Sequence, residues 1–135
     1  MSASPASMDP HTSHPGADPL YDPHASSDER TYATLTHLSL LTSLFFVPVL
    51  VGLVMWLARR NQSPFIDDHG KESLNFQISL VIYMIGAFAL AALTCVGIVL
   101  VPVVYVLGLV GMVLAAQAAS NGKYYRYPAC IRFVG

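Results

Sequence analysis

The sequence lacks charged side chains over a long central stretch: the fifty residues from Ser73 to Gly122 include no Asp, Glu, Lys, Arg or His. Over the whole chain charged residues make up only 11%, well below the roughly 25% of an ordinary soluble domain. A soluble protein with apolar runs of this length would have no polar face to present to water. Membrane embedding is therefore the simplest interpretation of the composition.

The chain also lacks the residue patterns of an enzyme or of a nucleic-acid-binding protein. It has no CxxC pair, no Gly-rich phosphate loop and no nucleophile–base constellation, and its net charge of −1 provides no basic field for nucleic acid. We therefore predict that it is not an enzyme, needs no metal or other cofactor and binds no nucleic acid. An enzyme acting on lipid headgroups through Asp67, Asp68 and His69 is the weaker alternative, because a helix start already explains these carboxylates.

The uncharged stretch instead divides into two long apolar halves near Gly97 and Pro102. A helix rises about 1.5 Å per residue, so each half is long enough to cross a hydrocarbon core about 30 Å thick. The sequence predicts a transmembrane helical hairpin with spans at about 74–96 and 101–120. Residues 123–135 interleave Tyr and Phe with Lys and Arg, which is typical of a segment in the headgroup zone.

Two further segments precede the hairpin. Residues 1–26 contain five prolines and almost no branched apolar side chain, which predicts a disordered tail. The apolar segment at about 34–58 contains Pro48, and a proline kinks or breaks a helix. We favour one kinked crossing over two half-helices, because no Gly, Asn or Asp immediately around Pro48 provides a turn. The predicted fold is all-α, with a helical membrane domain at 27–122: a kinked or broken first transmembrane segment followed by the transmembrane hairpin.

The distribution of basic residues predicts the orientation. With three crossings, loop 59–72 and the C-terminal tail share one side of the membrane and carry six of the seven basic residues, whereas Arg30 lies on the other. The positive-inside rule then places this loop and the C terminus in the cytoplasm, in a multi-pass protein of the cell membrane. If the first segment breaks into two crossings, the N terminus also returns to the cytoplasm.

Small residues recur at helical spacing and predict where the helices pack, because they allow close approach in lipid. The predicted seams use Gly111, Ala115 and Ala119 on the last helix and Ala87 and Ala91 on the preceding one, in a row with Ser79, Tyr83 and Cys95. The alternative is that Ala and Gly are simply common in membrane helices. The candidate polar residues within the membrane are His37 and Gln117. His37 is ionisable and could relay a proton or bind a ligand, but we favour a neutral histidine that is bonded to a neighbouring helix or reaches the interface. Cys95 and Cys130 are predicted at opposite membrane faces, as free thiols.

Three stretches carry a resemblance to a known family: ERTYATLTHLSL (29–40), SPFIDDHGKESLNFQIS (63–79) and NGKYYRYPACIRF (121–133). Over about residues 28–134 the chain resembles small bacterial membrane proteins grouped as Tic-twenty-like, after a membrane subunit of the chloroplast inner-envelope translocon. The residues that carry the resemblance most specifically are Asp68, His69, Gly70, Glu72, Asn75, Phe76 and Gln77, followed by Tyr125, Arg126, Tyr127 and Pro128. The resemblance implies the fold and membrane residence, but not protein import.

The function predicted from these features is action through contacts. The expected partners are the lipid bilayer and other membrane proteins or further copies of the chain, in a complex for which this protein is a subunit or a factor in assembly or translocation. The alternative is an oligomeric channel or small-solute transporter in which Asn75, Gln77, Gln117 and His37 line a path.

Overall fold

The computed structural model describes residues 20–44 and 49–135, and for residues 43 and 44 the backbone only. Four α-helices and one short 3₁₀ helix follow each other along these residues: α1 (Ser27–Leu38), the 3₁₀ helix (Ser39–Leu44), α2 (Leu50–Arg59), α3 (Pro64–Leu93) and α4 (Val96–Ser120). Within this part of the chain the one β-type pairing is an isolated bridge between Tyr21 and Lys123. The predicted disorder of residues 1–19 and the predicted kink at Pro48 lie outside the described residues.

Local sequence signals set the helix ends. Ser26 caps α1 in a capping box, accepting from the Glu29 backbone N–H (3.2 Å) while the Glu29 carboxylate accepts from the Ser26 N–H (2.6 Å). Ser63 caps α3, and Pro64 occupies the first helical position, where its missing N–H costs nothing. After α4 the chain turns at Gly122, whose φ of 70° suits glycine. Each of these helix ends is thus set by residues within a few positions of it in the sequence.

The all-α fold with two long apolar helices is also confirmed. α3 has 30 residues and α4 has 25, which correspond to about 45 and 37 Å and exceed the hydrocarbon thickness. Only 22% and 17% of their most apolar windows are buried inside the chain, whereas the core helix of a soluble protein would be mostly buried. Their outer faces, with Ile85, Phe88 and Leu93 well exposed, are therefore suited to lipid.

The first apolar segment differs from the single kinked crossing that we favoured. The Asp28 carboxylate pairs with Arg59 (2.8 Å), and the Tyr32 hydroxyl donates to the Met55 carbonyl (2.7 Å). The start of α1 therefore lies beside the end of α2, and the two helices run in opposite directions. α2 has 10 residues, or about 15 Å, half of what a crossing needs. At Val49 the φ of 76° interrupts the helical path immediately before α2.

This fold-back gathers the charged residues at one end of the molecule. Every described Asp, Glu, Lys and Arg belongs to segments 20–30, 59–72 or 123–132, and ion pairs and backbone bonds join these three segments to one another. We call this end the polar end. Arg30 lies there too, which corrects its expected place on the opposite side. The other end consists of the apolar α3–α4 turn around Thr94 and Cys95, where Gly97 packs against the Ala91 backbone.

Candidate functional site

The C-terminal tail folds back along α3 and is held there by a row of polar side chains. The members of this tail-binding row are spaced three or four residues apart, so they share one helix face: Glu72, Asn75, Ser79 and Tyr83. Asn75 forms several hydrogen bonds with the tail. Its Oδ1 accepts from the backbone N–H groups of Phe133 and Val134 (both 2.8 Å). Its Nδ2 donates in return to the Val134 carbonyl (2.9 Å).

The row continues toward the middle of α3. Ser79 Oγ accepts from the Ile131 N–H (2.8 Å), and the Tyr83 hydroxyl donates to the Ala129 carbonyl (2.9 Å). Irregular backbone beside apolar helices must find partners for its N–H and C=O groups, since lipid provides none. Ser79 and Tyr83 therefore bind the tail instead of forming a helix seam with Cys95, which is exposed. The tail is an ordered strap and not only a headgroup-zone segment.

Ion pairs fix the tail at the polar end. Arg126 binds Asp68 at two points, with Nη1 and Nη2 each 2.6 Å from a carboxylate oxygen, and this pairing raises the pKa of Arg126. The Glu72 carboxylate is buried, and it accepts from the Tyr127 backbone N–H (2.9 Å) and faces Arg132 (3.4 Å). Two-point Arg–carboxylate contacts fix geometry as well as charge, so the tail has a defined register on α3.

A buried chain of two histidines and a tyrosine joins α1, α3 and the tail. His37 Nε2 lies 2.9 Å from His69 Nδ1, and His37 Nδ1 lies 3.0 Å from the Tyr127 hydroxyl. A neutral imidazole has one donor and one acceptor nitrogen. His37 therefore either accepts from Tyr127 and donates to His69, or makes both bonds in the reverse direction. The His37 side chain thus bridges α1 to α3 and to the tail through its two hydrogen bonds.

Aromatic rings and small residues enclose this chain. Phe65 packs edge-on against His69 (centroids 4.4 Å apart), and the Tyr124 ring is stacked parallel to His69 (5.9 Å) and also contacts Phe65 (5.3 Å). The Tyr127 ring stacks on Phe76 at 3.7 Å, where Gly111 leaves room for both. The sequence motifs of the first segment, the loop and the tail, far apart in the chain, therefore meet in one buried junction.

A second buried polar group lies deeper, between α1 and α3. Gln77 Nε2 donates to Ser39 Oγ and Ser73 Oγ (both 3.1 Å), and Ser73 Oγ donates to the Thr36 carbonyl (3.1 Å). Gly52 of α2 packs directly on the Gln77 amide. Sequence reasoning did not connect the three hydroxyl residues Thr36, Ser39 and Ser73 with Gln77. Their signal is a polar position on each of two apolar helices, which finds no partner in lipid and so favours contact between them.

The remaining candidates take separate places. Gly70 packs against Trp56 of α2, Pro128 is exposed, and the Tyr125 ring lies edge-on to Tyr127. Among the small residues of the predicted seams, Ala87, Ala115 and Ala119 are buried, and Ala91 and Gly111 are partly buried. Gln117 is exposed on α4.

The carboxylates and the histidine near the start of α3 form no metal-binding cluster in the part of the chain that the structure describes. No group of three or more His, Cys, Asp or Glu residues is placed there to hold a metal ion. Asp67 accepts from the Trp56 indole N–H (2.8 Å) and pairs with Lys71, while Asp68 and His69 turn to different partners. Of the residues that we considered for a channel path, His37, Asn75 and Gln77 form hydrogen bonds within the chain, whereas Gln117 is exposed.

Fold and site together define a small all-helical membrane protein with a polar end tied together by its own tail. The comparison with protein families gives a match over residues 28–134, and the chain belongs to the magnetosome magnetite crystal formation protein family (MamF_MmsF). No curated protein and no solved structure matches it. The expectation of a small bacterial membrane-protein family is met, whereas the more specific Tic-twenty-like resemblance has no support among these comparisons.

Proposed function

We propose that this protein is a non-enzymatic, multi-pass component of the membrane in which magnetite crystals form, and that it acts through contacts with other membrane proteins. α3 and α4 cross the bilayer, and α1 and α2 enter it only partway from the polar end. All seven basic residues of the chain lie at that end, which supports a cytoplasmic polar end by the positive-inside rule. The α3–α4 turn then faces the opposite compartment.

The observation that carries this proposal is the internal pairing of the carboxylates. Each of the six described carboxylates accepts a hydrogen bond or an ion pair from the chain itself, at Asp22, Asp28, Glu29, Asp67, Asp68 and Glu72. Binding of iron or of a mineral face by carboxylates requires oxygen atoms that are free to coordinate. These contacts support a chiefly structural role for the polar end, and the large apolar faces of α3 and α4 are surfaces on which partners can pack.

A photo-crosslinking pair tests the proposal in native membranes. Phe88 is 59% exposed on α3, whereas Phe76, on the same helix, is 7% exposed. Replacing Phe88 with a photo-reactive phenylalanine should give discrete adducts with specific membrane proteins, identified by mass spectrometry. The same replacement at Phe76 should give contacts within the chain only. Lipid adducts alone at Phe88, together with a lone monomer after gentle detergent purification, would contradict the proposal.

Iron measurements separate contact from direct mineral binding. The purified protein, incubated with ferrous iron and desalted, should retain less than one iron per chain by elemental analysis. Stoichiometric retention that is abolished by Asp67→Asn or Asp68→Asn would instead support direct iron binding at the polar end.

A further inference from the structure

A cavity of about 450 Å³ opens at the polar end between the first turns of α1 and the last turn of α4. It lies apart from the tail-binding row and the histidine chain. Its wall is formed chiefly by Ser27, Arg30, Thr31, Thr34, Leu35 and Ser120. Because α4 ends at Ser120, the cavity lies at the level where the apolar part of the hairpin gives way to the charged segments.

Arg30 provides a fixed positive charge in this wall. Its Nε donates to the Ala25 carbonyl (3.0 Å), its guanidinium packs on Gly122, and its Cζ lies 5.9 Å from the centre of the Tyr21 ring. Within residues 20–44 and 49–135, no carboxylate pairs with it. Four other basic residues do have such a partner: Arg59, Lys71, Arg126 and Arg132. Arg30 is thus held in place with its Nη groups available to an anion.

The rest of the wall consists of hydroxyl side chains on one side and an apolar side chain on the other. The hydroxyl protons of Thr31 and Thr34 are already given to backbone carbonyls of α1 (both 2.8 Å), and that of Ser120 goes to the Gln117 carbonyl. The Ser27 hydroxyl makes no hydrogen bond to the described residues, so it is the second donor at the mouth. One helical turn beyond Thr31, Leu35 is 49% exposed and supplies a hydrocarbon surface.

We propose that this cavity binds the phosphate group of a membrane phospholipid, with the first part of an acyl chain lying along Leu35. A guanidinium is the side chain best matched to phosphate, because two of its N–H groups can bind two oxygens at once. This step rests on the proposed crossing of the bilayer by α4, which puts the end of α4 at the level of the phospholipid phosphates. The pairing of one cation and one hydroxyl with an adjoining apolar wall fits a molecule that carries both a phosphate and a hydrocarbon chain.

Native mass spectrometry of the full chain in detergent, titrated with phosphatidylglycerol, tests this proposal. Arg30→Gln should weaken the binding of the first lipid by about tenfold, the loss of one strong charge-assisted contact. Ser27→Asp should weaken it similarly, because the new carboxylate pairs with Arg30 one turn away. Since Asp in the first turn of a helix is stabilising, this second variant tests the site even where Arg30→Gln fails to fold.

Arg60→Gln is the matched control. Arg60 also has no ion pair among the described residues, but it lies over the Trp56 ring (5.2 Å), away from the cavity. The affinity of the Arg60→Gln variant for the first lipid should stay within about twofold of that of the unaltered chain. Equal affinities in the unaltered chain, Arg30→Gln and Ser27→Asp would overturn the proposal, as would an equal loss in Arg60→Gln. Inorganic phosphate should not displace the lipid at equal concentration, and displacement would overturn the assignment to a phospholipid.

Discussion

Asn75 and Val134 bind each other in both directions: the Asn75 amide donates to the Val134 carbonyl (2.9 Å) and accepts from its N–H (2.8 Å). An amide side chain thus takes the place that a neighbouring β-strand would occupy. The contact ties the last residues of the chain to the apolar helix α3. It explains how a tail without secondary structure stays packed against an apolar helix.

Replacing Asn75 with Leu keeps the branched shape of the side chain and removes its three hydrogen bonds to Phe133 and Val134. A buried polar group left without a partner costs roughly 1–3 kcal/mol, so we expect the tail to detach at least about fivefold more often. The readout is the alkylation rate of Cys130 in a Cys95→Ser background. Burial raises the pKa of the Cys130 thiol, and detachment removes that burial, so the rate should rise.

Gln117→Leu is the control for this change, because it also replaces an amide side chain with leucine, at an exposed position of α4. Its Cys130 alkylation rate should equal that of the Cys95→Ser parent. An Asn75→Leu rate no higher than that of Gln117→Leu would contradict the role of Asn75 as the anchor of the tail.

Part of this architecture was accessible from the sequence. The uncharged stretch from Ser73 to Gly122 indicates the two long helices, and the caps at Ser26 and Ser63 have short-range signatures. The fold-back of α1 on α2 was not accessible, because a single continuous helix and two helices folded on each other can be equally apolar. The contacts that distinguish them, such as Asp28 with Arg59, join residues about thirty positions apart and leave no periodic signal.

The site was only partly accessible for a different reason. The residues of the tail-binding row have helical spacing in the sequence. The partners of Asn75, Ser79 and Tyr83, however, are backbone groups of the tail. Backbone groups are the same at every residue, so no side-chain pattern in the tail indicates them. The motif residues were therefore recognised without the relationship that joins them.

The Tyr127 hydroxyl is expected to stabilise the junction through His37. Tyr127→Phe keeps the ring stacked on Phe76 but removes the partner of His37 Nδ1, so it should cost about 1 kcal/mol. Tyr125→Phe is the matched control, since the Tyr125 hydroxyl has no hydrogen bond within the described residues. Thermal unfolding in detergent should show a lower midpoint for the first variant only. Equal midpoints would indicate that the hydroxyl contributes nothing.

Tyr124 is expected to make the stability of the folded protein decrease at alkaline pH. Burial, together with its hydrogen bond to Asp22 (3.0 Å), raises the pKa of Tyr124 to about 12. In the unfolded chain a tyrosine titrates near 10, so the folded state favours the protonated phenol. The stabilisation is complete below pH 10 and is lost as the pH rises from 10 to about 12.

Unfolding midpoints measured between pH 9 and 12 test this dependence. The unaltered chain should lose stability across that interval more steeply than Tyr124→Phe, which has no phenol to titrate at this position. Ultraviolet titration of Asp22→Asn should show a lower Tyr124 pKa that still exceeds 10, because burial remains. Parallel stability curves for the unaltered chain and Tyr124→Phe would refute the assignment.

Gly70 marks the contact between α2 and α3. A Cβ at this position would lie 2.9 and 3.0 Å from Trp56 Cγ and Cβ, and the indole is held by its bond to Asp67. Gly70→Ala should therefore destabilise the protein by roughly 1–3 kcal/mol and shift the emission of its single tryptophan. Gly86→Ala, on the same helix with nothing near its added Cβ, should be neutral or stabilising by up to about 1 kcal/mol. The opposite order of unfolding midpoints would show that α2 does not pack on α3 in this way.

Ala115 tests whether the small residues of α4 form a packing seam. It has 0% exposure and belongs to one buried cluster with Phe76 and Tyr127, so Ala115→Leu should force these rings apart at a cost of roughly 1–3 kcal/mol. Val113, on the same helix, is 56% exposed, and Val113→Leu should leave the unfolding midpoint unchanged. Because Tyr127 also carries the tail, Ala115→Leu should in addition raise the alkylation rate of Cys130. If alanine is present on α4 only as a common residue of membrane helices, the two variants will behave alike in both measurements.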